Sequence, residues 1–313
     1  MIRFDSVTKY FGTKRALSGL SFEVRRGEIL GLVGRNAAGK TTTLNILSGQ
    51  LLPSTGEVYL EGERVTERPQ ALRSRIGFLP EMPPLYREMT VRAYLLFAAQ
   101  IRGLSAAEAP GRVAETIATM GLEEVASDRL GDLSRGFQQR VGIAQAVIHK
   151  PPVVLLDEPM AGLDPLQIVQ LRELIGSLRG GHTVILSSHL LPEIANVCDR
   201  VVLMDQGAVR AIGTEAELRG ILAAERRIAL LVRGDRAVLK KALEGVKGVE
   251  VESLREQGRN LQRATVKCQG DPREALSHAC MEAGLGLLEI KWEEDGLEAL
   301  FLQMIGAEGG TAA

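Results

Sequence analysis

Residues 34–41, GRNAAGKT, constrain the fold of this chain more than any other stretch, because they join a predicted strand directly to a predicted helix. The apolar run ILGLV precedes them and TTLNILSG follows them. Gly-x-x-x-x-Gly-Lys-Thr in that context is typical of a loop (P-loop) whose backbone N–H groups surround phosphates. In such a loop Lys40 reaches the β and γ oxygens, and the Thr41 hydroxyl ligates Mg²⁺. The stretch therefore predicts an α/β fold that binds a nucleotide.

The apolar runs elsewhere in the chain predict the sheet that carries this loop. VVLL, TVILSS and RVVLM are short, do not alternate with polar residues and are separated by predicted helices. Such runs are typical of central strands in a parallel sheet that is covered on both faces. Strands with glycine punctuation precede them to about residue 60, and a helical pattern fills residues 89–150. We therefore predict a first domain over residues 1–220, with a helical subdomain at about 89–150.

The C-terminal part of the chain follows a different pattern. Residues 226–306 have the predicted order strand, helix, strand, strand, helix, strand, followed by a closing helix over GLEALFLQMI. This βαββαβ succession is the split-βαβ arrangement of ferredoxin-like domains. We predict a small accessory domain there, and its role, whether regulatory, dimer-forming or structural, stays open at this point.

Charge and hydropathy exclude two classes of function. The chain of 313 residues has 38 Lys and Arg against 39 Asp and Glu, so no basic excess indicates nucleic-acid binding. Its most apolar helix-like stretch, AYLLFAAQI, is much shorter than the ~20 residues that span a membrane. We therefore expect no nucleic-acid partner and no membrane span in this chain.

Two predicted strands end in side chains that suit phosphate chemistry. Asp157 follows VVLL, where a carboxylate can hold the water shell of a metal ion, and Glu158 beside it can act as general base on water. His189 follows TVILSS, where its ring can contact a γ-phosphate. Taken alone, the acidic pair also suits a helix cap and a lone histidine is usually structural. The P-loop favours the catalytic interpretation of all three.

Two other stretches are candidates for contacts with a nucleotide. Phe11, in KYFG, is the candidate to stack on a base, with Tyr10 as competitor and core packing as the alternative for either. In LSRGFQQRVGIAQA, Ser134 and Gly136 stand at the start of a predicted helix, where unpaired N–H groups suit an anion. The residues of that stretch alone do not indicate which anion binds.

Taken in order, these motifs resemble those of the ATP-binding subunits of ABC transporters, over about residues 2–220. GRNAAGKT is similar to the Walker A motif of that family, VVLLDE to Walker B, AGLD to the D-loop and LSRGFQQR to the signature, normally L-S-G-G-Q. His189 matches the switch histidine. IGFLPEMPPLYREMTV and the ending GLEALFLQM look most like the exporter branch that works with type 2 permeases.

The resemblance implies a RecA-like P-loop core with antiparallel β and helical subdomains, and an ATP hydrolase that dimerises around two ATP molecules. In that family the signature of one protomer faces the γ-phosphate held by the P-loop of another. The residues then expected to act in catalysis are Lys40, Glu158 and His189. Those expected to ligate Mg²⁺ are Thr41, Glu81 and Asp157. Those expected to bind ATP are Phe11, Gly34, Arg35, Asn36, Ala37, Ala38, Gly39, Lys40, Thr41, Thr42, Ser134, Gly136 and Asp164.

Three departures from the family pattern lie close to these residues. Ala37 stands where glycine is usual; if the loop keeps the family conformation, Ala37 has a positive φ. Glu81 replaces the usual Gln of the Q-loop. Arg135 and Phe137 replace Gly and Gln of the signature, while Gly136 remains where backbone must approach phosphate. None of the three removes a catalytic group.

The resemblance also implies partners. We expect a separate transmembrane permease, one helix of which docks near Glu81, and either a second copy of this chain or a homologous ATPase subunit. The chain is then cytoplasmic and peripheral on the inner face of the cell membrane. The alternative is a soluble ABC-type ATPase acting on ribosomes, DNA or Fe–S assembly, but those versions carry two ATPase units or long coiled coils. A GTPase or small-molecule kinase leaves the signature unexplained.

Overall fold

The computed structural model describes residues 1–67, 72–222, 226–258, 260–268 and 270–292. They fall into two compact units, the first ending at Glu215 and the second beginning at Ala216. The closing helix predicted from GLEALFLQMI lies outside the described residues. Within the described ranges, no helix combines the length and the apolar character needed to cross a membrane.

Two sheets form the β-structure of the first unit. The smaller sheet is antiparallel, has the order β2-β1-β4-β5, and consists of β1 (Ile2–Phe11), β2 (Lys14–Val24), β4 (Thr55–Leu60) and β5 (Glu63–Arg64). The larger sheet has the order β10-β9-β3-β8-β7-β6 and consists of β3 (Ile29–Val33), β6 (Ile76–Leu79), β7 (Val153–Leu156), β8 (Thr183–Ser188), β9 (Arg200–Asp205) and β10 (Ala208–Gly213). Its strands pair in parallel, except for the β9–β10 hairpin.

The parallel sheet brings the predicted site together. Strands β3, β7 and β8 are buried along their whole length, which explains why their sequences do not alternate. Strand β3 lies between β8 and β9, and β8 lies between β3 and β7. The P-loop, Asp157 and His189 therefore leave the sheet at one edge, the carboxyl edge, where parallel α/β sheets bind ligands.

The helices of the first unit differ in whether a side chain caps the N-terminus. They are α1 (Lys40–Leu47), α2 (Val91–Ile101), α3 (Ala109–Thr119), α4 (Arg135–Val147), α5 (Pro165–Ser177) and the short α6 (Leu191–Ile194); a further helix, α7 (Glu215–Leu222), begins at the boundary between the units. Thr90 caps α2 by accepting from the Ala93 N–H. Ser134 caps α4 and Asp164 caps α5 in the same way, as side-chain oxygens do at helix N-termini.

The predicted βαββαβ order is confirmed in the second unit. Its elements are β11 (Arg226–Arg233), α8 (Arg236–Glu244), β12 (Val249–Glu256), β13 (Leu261–Cys268), α9 (Arg273–Glu282) and β14 (Gly286–Trp292). The sheet is antiparallel with the order β12-β13-β11-β14. Every second residue of β13 is buried, and three of these, Ala264, Val266 and Cys268, pack with Leu239 of α8 and Leu276 of α9 in one apolar core.

The sequence missed two strands of the larger sheet, β6 and β10. Strand β6 has only four residues, with a glycine inside the run, and glycine weakens a strand pattern. A Cβ on Gly77 would lie 1.9 Å from the Ala146 carbonyl oxygen, so packing against α4 is the reason for glycine. Strand β1 ends at Phe11, so this candidate aromatic residue lies at the end of a strand.

Candidate functional site

The P-loop leaves the start of α1 open. Gly39 precedes the helix with φ 102°, and no side chain caps the first-turn N–H groups. A Cβ on Gly39 would lie 2.6 Å from Leu17 Cδ2 and 3.0 Å from the Ala16 carbonyl oxygen, so the position admits no side chain. The uncapped N–H groups and the positive end of the helix dipole therefore suit an anion, here at the edge of the sheet.

The side chain of Lys40 folds back over this loop. Its Nζ donates to the carbonyl oxygens of Gly34 at 2.7 Å and Arg35 at 3.4 Å, and lies 3.2 Å from Glu158 Oε1. Both members of this ion pair are nearly buried, with 6% and 11% of their side chains exposed. A phosphate at the loop would compete with Glu158 for the ammonium group, because charged oxygens are its strongest acceptors.

The second carboxylate oxygen of Glu158 contacts His189. Glu158 Oε2 lies 2.9 Å from His189 Nδ1 and accepts from the His189 backbone N–H at 3.3 Å. Glu158 has φ 47°, a left-handed conformation that costs an L-residue about 1–2 kcal/mol. Strain of this kind persists only where the surrounding structure imposes it, and it concentrates at functional sites.

Asp157 is held by a residue that the sequence analysis missed. Asp157 Oδ1 accepts from the Ser187 hydroxyl at 2.6 Å, and the same hydroxyl oxygen accepts from the Glu158 N–H at 2.8 Å. Both Asp157 and Ser187 are buried. The sequence feature that could have indicated Ser187 is its place near the end of the predicted strand TVILSS, as Asp157 follows the predicted strand VVLL. The two strands are neighbours in the sheet.

An open cleft of about 650 Å³ lies beside these groups. The predicted site residues that line it are Phe11, Asn36, Ala37, Ala38, Gly39, Lys40, Thr41, Thr42, Glu81, Glu158 and His189. Phe11 lines the cleft and its competitor Tyr10 does not. Lys14, Ala16 and Ala161, which were not predicted, also line it. The predicted residues outside its lining are Gly34, Arg35, Ser134, Gly136, Asp157 and Asp164.

Three of these outlying residues lie together at the N-termini of α4 and α5. Ser134 and Gly136 line a separate recess of about 60 Å³. Ser134 Oγ accepts from the Phe137 N–H at 3.5 Å, and Asp164 Oδ1 from the Gln167 N–H at 2.9 Å. A Cβ on Gly136 would lie 2.9 Å from Gln167 Cδ, so the two helices approach closely. Ser134, Gly136 and Asp164 therefore do not line the cleft of their own chain.

The side chains at the cleft fit Mg²⁺. Thr41 supplies a hydroxyl and Glu81 a carboxylate, and Asp157 adds a second carboxylate at the adjacent strand end. Among the described residues, no group of three or more His, Cys, Asp or Glu side chains could hold a metal ion. Mg²⁺ in nucleotide sites uses one or two carboxylates together with substrate phosphates and water, so it requires no such group.

Ala37 has the positive φ, 68°, that its position in the loop predicted. An L-residue there carries a clash between Cβ and the following carbonyl oxygen of about 1–2 kcal/mol, which glycine removes. Glycine also gives the unfolded chain more conformational freedom, which lowers the free energy of unfolding by about 0.4–1 kcal/mol. We therefore expect Ala37→Gly to raise the melting temperature without nucleotide, or to tighten ATP binding by up to about tenfold, equivalent to 1.4 kcal/mol.

Nucleotide titration and thermal melting of the two proteins measure this effect. The matched control is Lys150→Gly, which relieves a similar φ of 51° at an exposed residue that does not line the cleft. It should affect melting alone. Weaker ATP binding together with a lower melting temperature in Ala37→Gly would contradict the strain argument.

The P-loop follows β3 at the carboxyl edge of a parallel sheet, and the acidic pair follows β7, two strands away in that sheet. This arrangement defines a P-loop ATPase. Comparison with known proteins identifies the family. Residues 17–161 match the protein family described as "ABC transporter". The linearmycin resistance ATP-binding protein LnrL of Bacillus subtilis is 31% identical over 307 residues, 98% of each chain. The bacitracin transport ATP-binding protein BcrA of Bacillus licheniformis is 32% identical over 313 residues, 99% of this chain and 98% of the relative.

A solved structure agrees with these relatives. The dimeric ATP-binding cassette MJ0796, in a post-hydrolysis state with ADP and Pi, has 26% identity and a TM-score of 0.63, covering 68% of this chain and 98% of that one. The chain therefore belongs to the ATP-binding proteins of the ABC transporter family. It binds ATP and hydrolyses it.

Proposed function

We propose that two copies of this chain enclose two ATP molecules between them and drive a separate membrane permease that exports its cargo. The observation that carries the proposal is the separation, within one chain, of the P-loop cleft from the recess that holds Ser134 and Gly136. A two-fold dimer would place the recess of each protomer against the cleft of the other, which makes both sites equivalent. Functional complementation between a Lys40 variant and a Ser134 variant tests this arrangement.

When ATP occupies the cleft, each site residue of the chain that binds it has a separate role. The Lys40 ammonium moves from Glu158 to the phosphate oxygens, which leaves Glu158 Oε1 able to accept a proton from the attacking water. His189 keeps its contact with Oε2 and reaches the γ-phosphate. The backbone N–H groups of the P-loop and of the first turn of α1, which includes Thr42, hold the phosphates. Phe11 stacks on the adenine.

Mg²⁺ is the proposed metal, held by Thr41 and, through water, by Asp157, with Glu81 at the Q-loop position. When bound, it offsets charge on the phosphates that Lys40 and the second protomer's Ser134 also contact. Glu81 lines the cleft with an acceptor that carries negative charge, where the family usually has an amide. It therefore strengthens the attraction for a cation at that position.

Export is supported by two relatives that match over nearly the whole chain. One is named for linearmycin resistance and the other for bacitracin transport. Removal of an antibiotic from the cell requires outward movement across the membrane, and the described residues contain no helix that could span it. We place the chain at the inner face of the membrane, where ATP is available, through contact with that permease.

The proposed contact is an aromatic groove of about 420 Å³ next to the Q-loop. We use this name for the surface formed by Arg73, Pro84, Tyr86, Tyr94, Phe97, Ile101 and Arg102. Tyr86 packs on Phe97 with ring centroids 5.5 Å apart, and both Tyr86 and Ile101 are more than half exposed. Burial raises the pKa of Tyr94 to about 12, so its phenol stays neutral. Exposed aromatic rings beside an apolar residue suit an amphipathic helix.

We expect Ile101→Glu to abolish co-purification of the membrane partner and to leave the ATPase rate of the isolated protein within about twofold. The charge is added at an exposed position, so folding is preserved, but it must be desolvated when a helix docks. The measurement is affinity capture from detergent-solubilised membranes. Met281→Glu, an equally exposed apolar position in the second unit, is the control. Undiminished capture by Ile101→Glu would exclude the groove as the docking site.

A further inference from the structure

Ser187 occupies the point where the ladder between two catalytic strands ends. The parallel pairing of β7 with β8 stops at Leu156 and Leu186. Beyond that point the side chain of Ser187 makes the hydrogen bonds between the two strands. Its hydroxyl accepts from the Glu158 N–H at 2.8 Å and donates to Asp157 Oδ1 at 2.6 Å. The side chain is fully buried, so water does not compete for either bond.

Each of these two bonds has a distinct consequence. A hydroxyl has a single proton, and here that proton is committed to Asp157, which fixes the rotation of the carboxylate and leaves Oδ2 free. The bond from the Glu158 N–H satisfies a buried donor that the left-handed turn at Glu158 takes out of the ladder. One oxygen atom therefore fixes the Asp157 carboxylate and the backbone from which the Glu158 side chain extends.

We infer that Ser187 is a positioning residue for ATP hydrolysis, which aligns Asp157 toward the metal and Glu158 toward the attacking water. This inference rests on the proposed roles of those two carboxylates. The adjacent Ser188 has no such role, because its hydroxyl donates to Glu193 Oε2 at 2.8 Å. Outer partners of metal-site carboxylates typically contribute 10–100-fold to metal affinity or activity.

The experiment compares Ser187→Ala with the parent in two measurements. The first is binding of a fluorescent ATP analogue with and without Mg²⁺. We expect unchanged affinity without Mg²⁺ and a Mg²⁺ requirement raised by about tenfold or more. The second is steady-state hydrolysis, where we expect kcat to fall by about tenfold or more at saturating ATP and Mg²⁺, with KM for ATP little changed. General loss of packing would not separate binding with Mg²⁺ from binding without it.

A matched pair isolates the hydroxyl. Ser187→Thr and Ser187→Val add the same volume to the buried site, but only the threonine keeps the hydroxyl group. We expect Thr to restore most of the Mg²⁺ response and kcat that Ala and Val lack. Ser48→Ala removes another buried serine hydroxyl, which donates to the Asn45 carbonyl oxygen at the end of α1, and it should match the parent in both measurements.

The outcomes separate this inference from the proposed function. Parent-like Mg²⁺ dependence and kcat in Ser187→Ala, or equal values in the Thr and Val variants, would overturn the role of Ser187. If Glu158→Gln in the same assays is inactive while Ser187→Ala is not, the proposed function stands and only the inference fails. A fully active Glu158→Gln would instead refute the assignment of the base on which the inference rests.

Discussion

Glu158→Gln should lower kcat for ATP by about 10²–10⁴-fold, the usual contribution of a general base, while ATP still binds. The amide has nearly the shape of the carboxylate and can still contact His189, but it cannot take a proton from water. The change also removes the anion that holds Lys40 at 3.2 Å, so the ammonium group is released to the phosphates. Bound ATP then persists, and the dimer that encloses it should accumulate.

Steady-state hydrolysis and size-exclusion chromatography with and without ATP measure the two parts of this result. Glu124→Gln, the same chemical change at an exposed position outside the cleft lining, is the matched control and should behave as the parent. Hydrolysis by Glu158→Gln at near the parent rate would show that another group acts as the base.

Lys40→Ala and Ser134→Arg should each be inactive alone and regain activity when mixed. Loss of one preorganised phosphate contact costs about 10²–10³-fold in kcat, and an arginine side chain at Ser134 blocks the start of α4. In a mixed dimer, the intact P-loop of one protomer faces the intact signature of the other, and the second site has both defects. Random pairing makes about half of the dimers mixed, each with one sound site, so up to about one quarter of the parent rate should return.

The mixture distinguishes a site shared between protomers from a site within one chain. If Ser134 acted on the nucleotide of its own protomer, every site in the mixture would carry one defect and no activity would return. Melting temperatures of both variants serve as the control for folding, because Lys40→Ala leaves Glu158 without its cation. A fully active Ser134→Arg homodimer would show that the signature does not face the nucleotide.

Features that depend on neighbouring residues were predictable from the sequence. The strand, loop and helix around GRNAAGKT are contiguous, so their residue types alone indicate the P-loop. The unalternated runs VVLL, TVILSS and RVVLM predicted β7, β8 and β9, and the βαββαβ order of the second unit followed from strand and helix periods. The positive φ of Ala37 was expected only if the loop kept the conformation that the family resemblance implies, and the structure has that conformation. Strand β6 was missed because its run is short and contains a glycine, and β10 because an exposed arginine interrupts its apolar residues.

Features that depend on contacts between distant segments required the tertiary structure. The Ser187 hydroxyl meets Asp157 across 30 residues of sequence, and Lys40 meets Glu158, only because the strand order places β8 between β3 and β7. The same packing puts Phe11, and not Tyr10, on the cleft lining.

The sequence by itself therefore determined the class of the protein, the chemistry of its loop and the identity of its acidic pair. Those features rest on backbone conformation and side-chain types along a few adjacent residues. Only the tertiary structure decided that Ser134 and Gly136 lie in a recess apart from the cleft, and that Ser187 joins the two carboxylates. Such relations follow from strand order and register, which are set by packing of the whole sheet and not by any single segment.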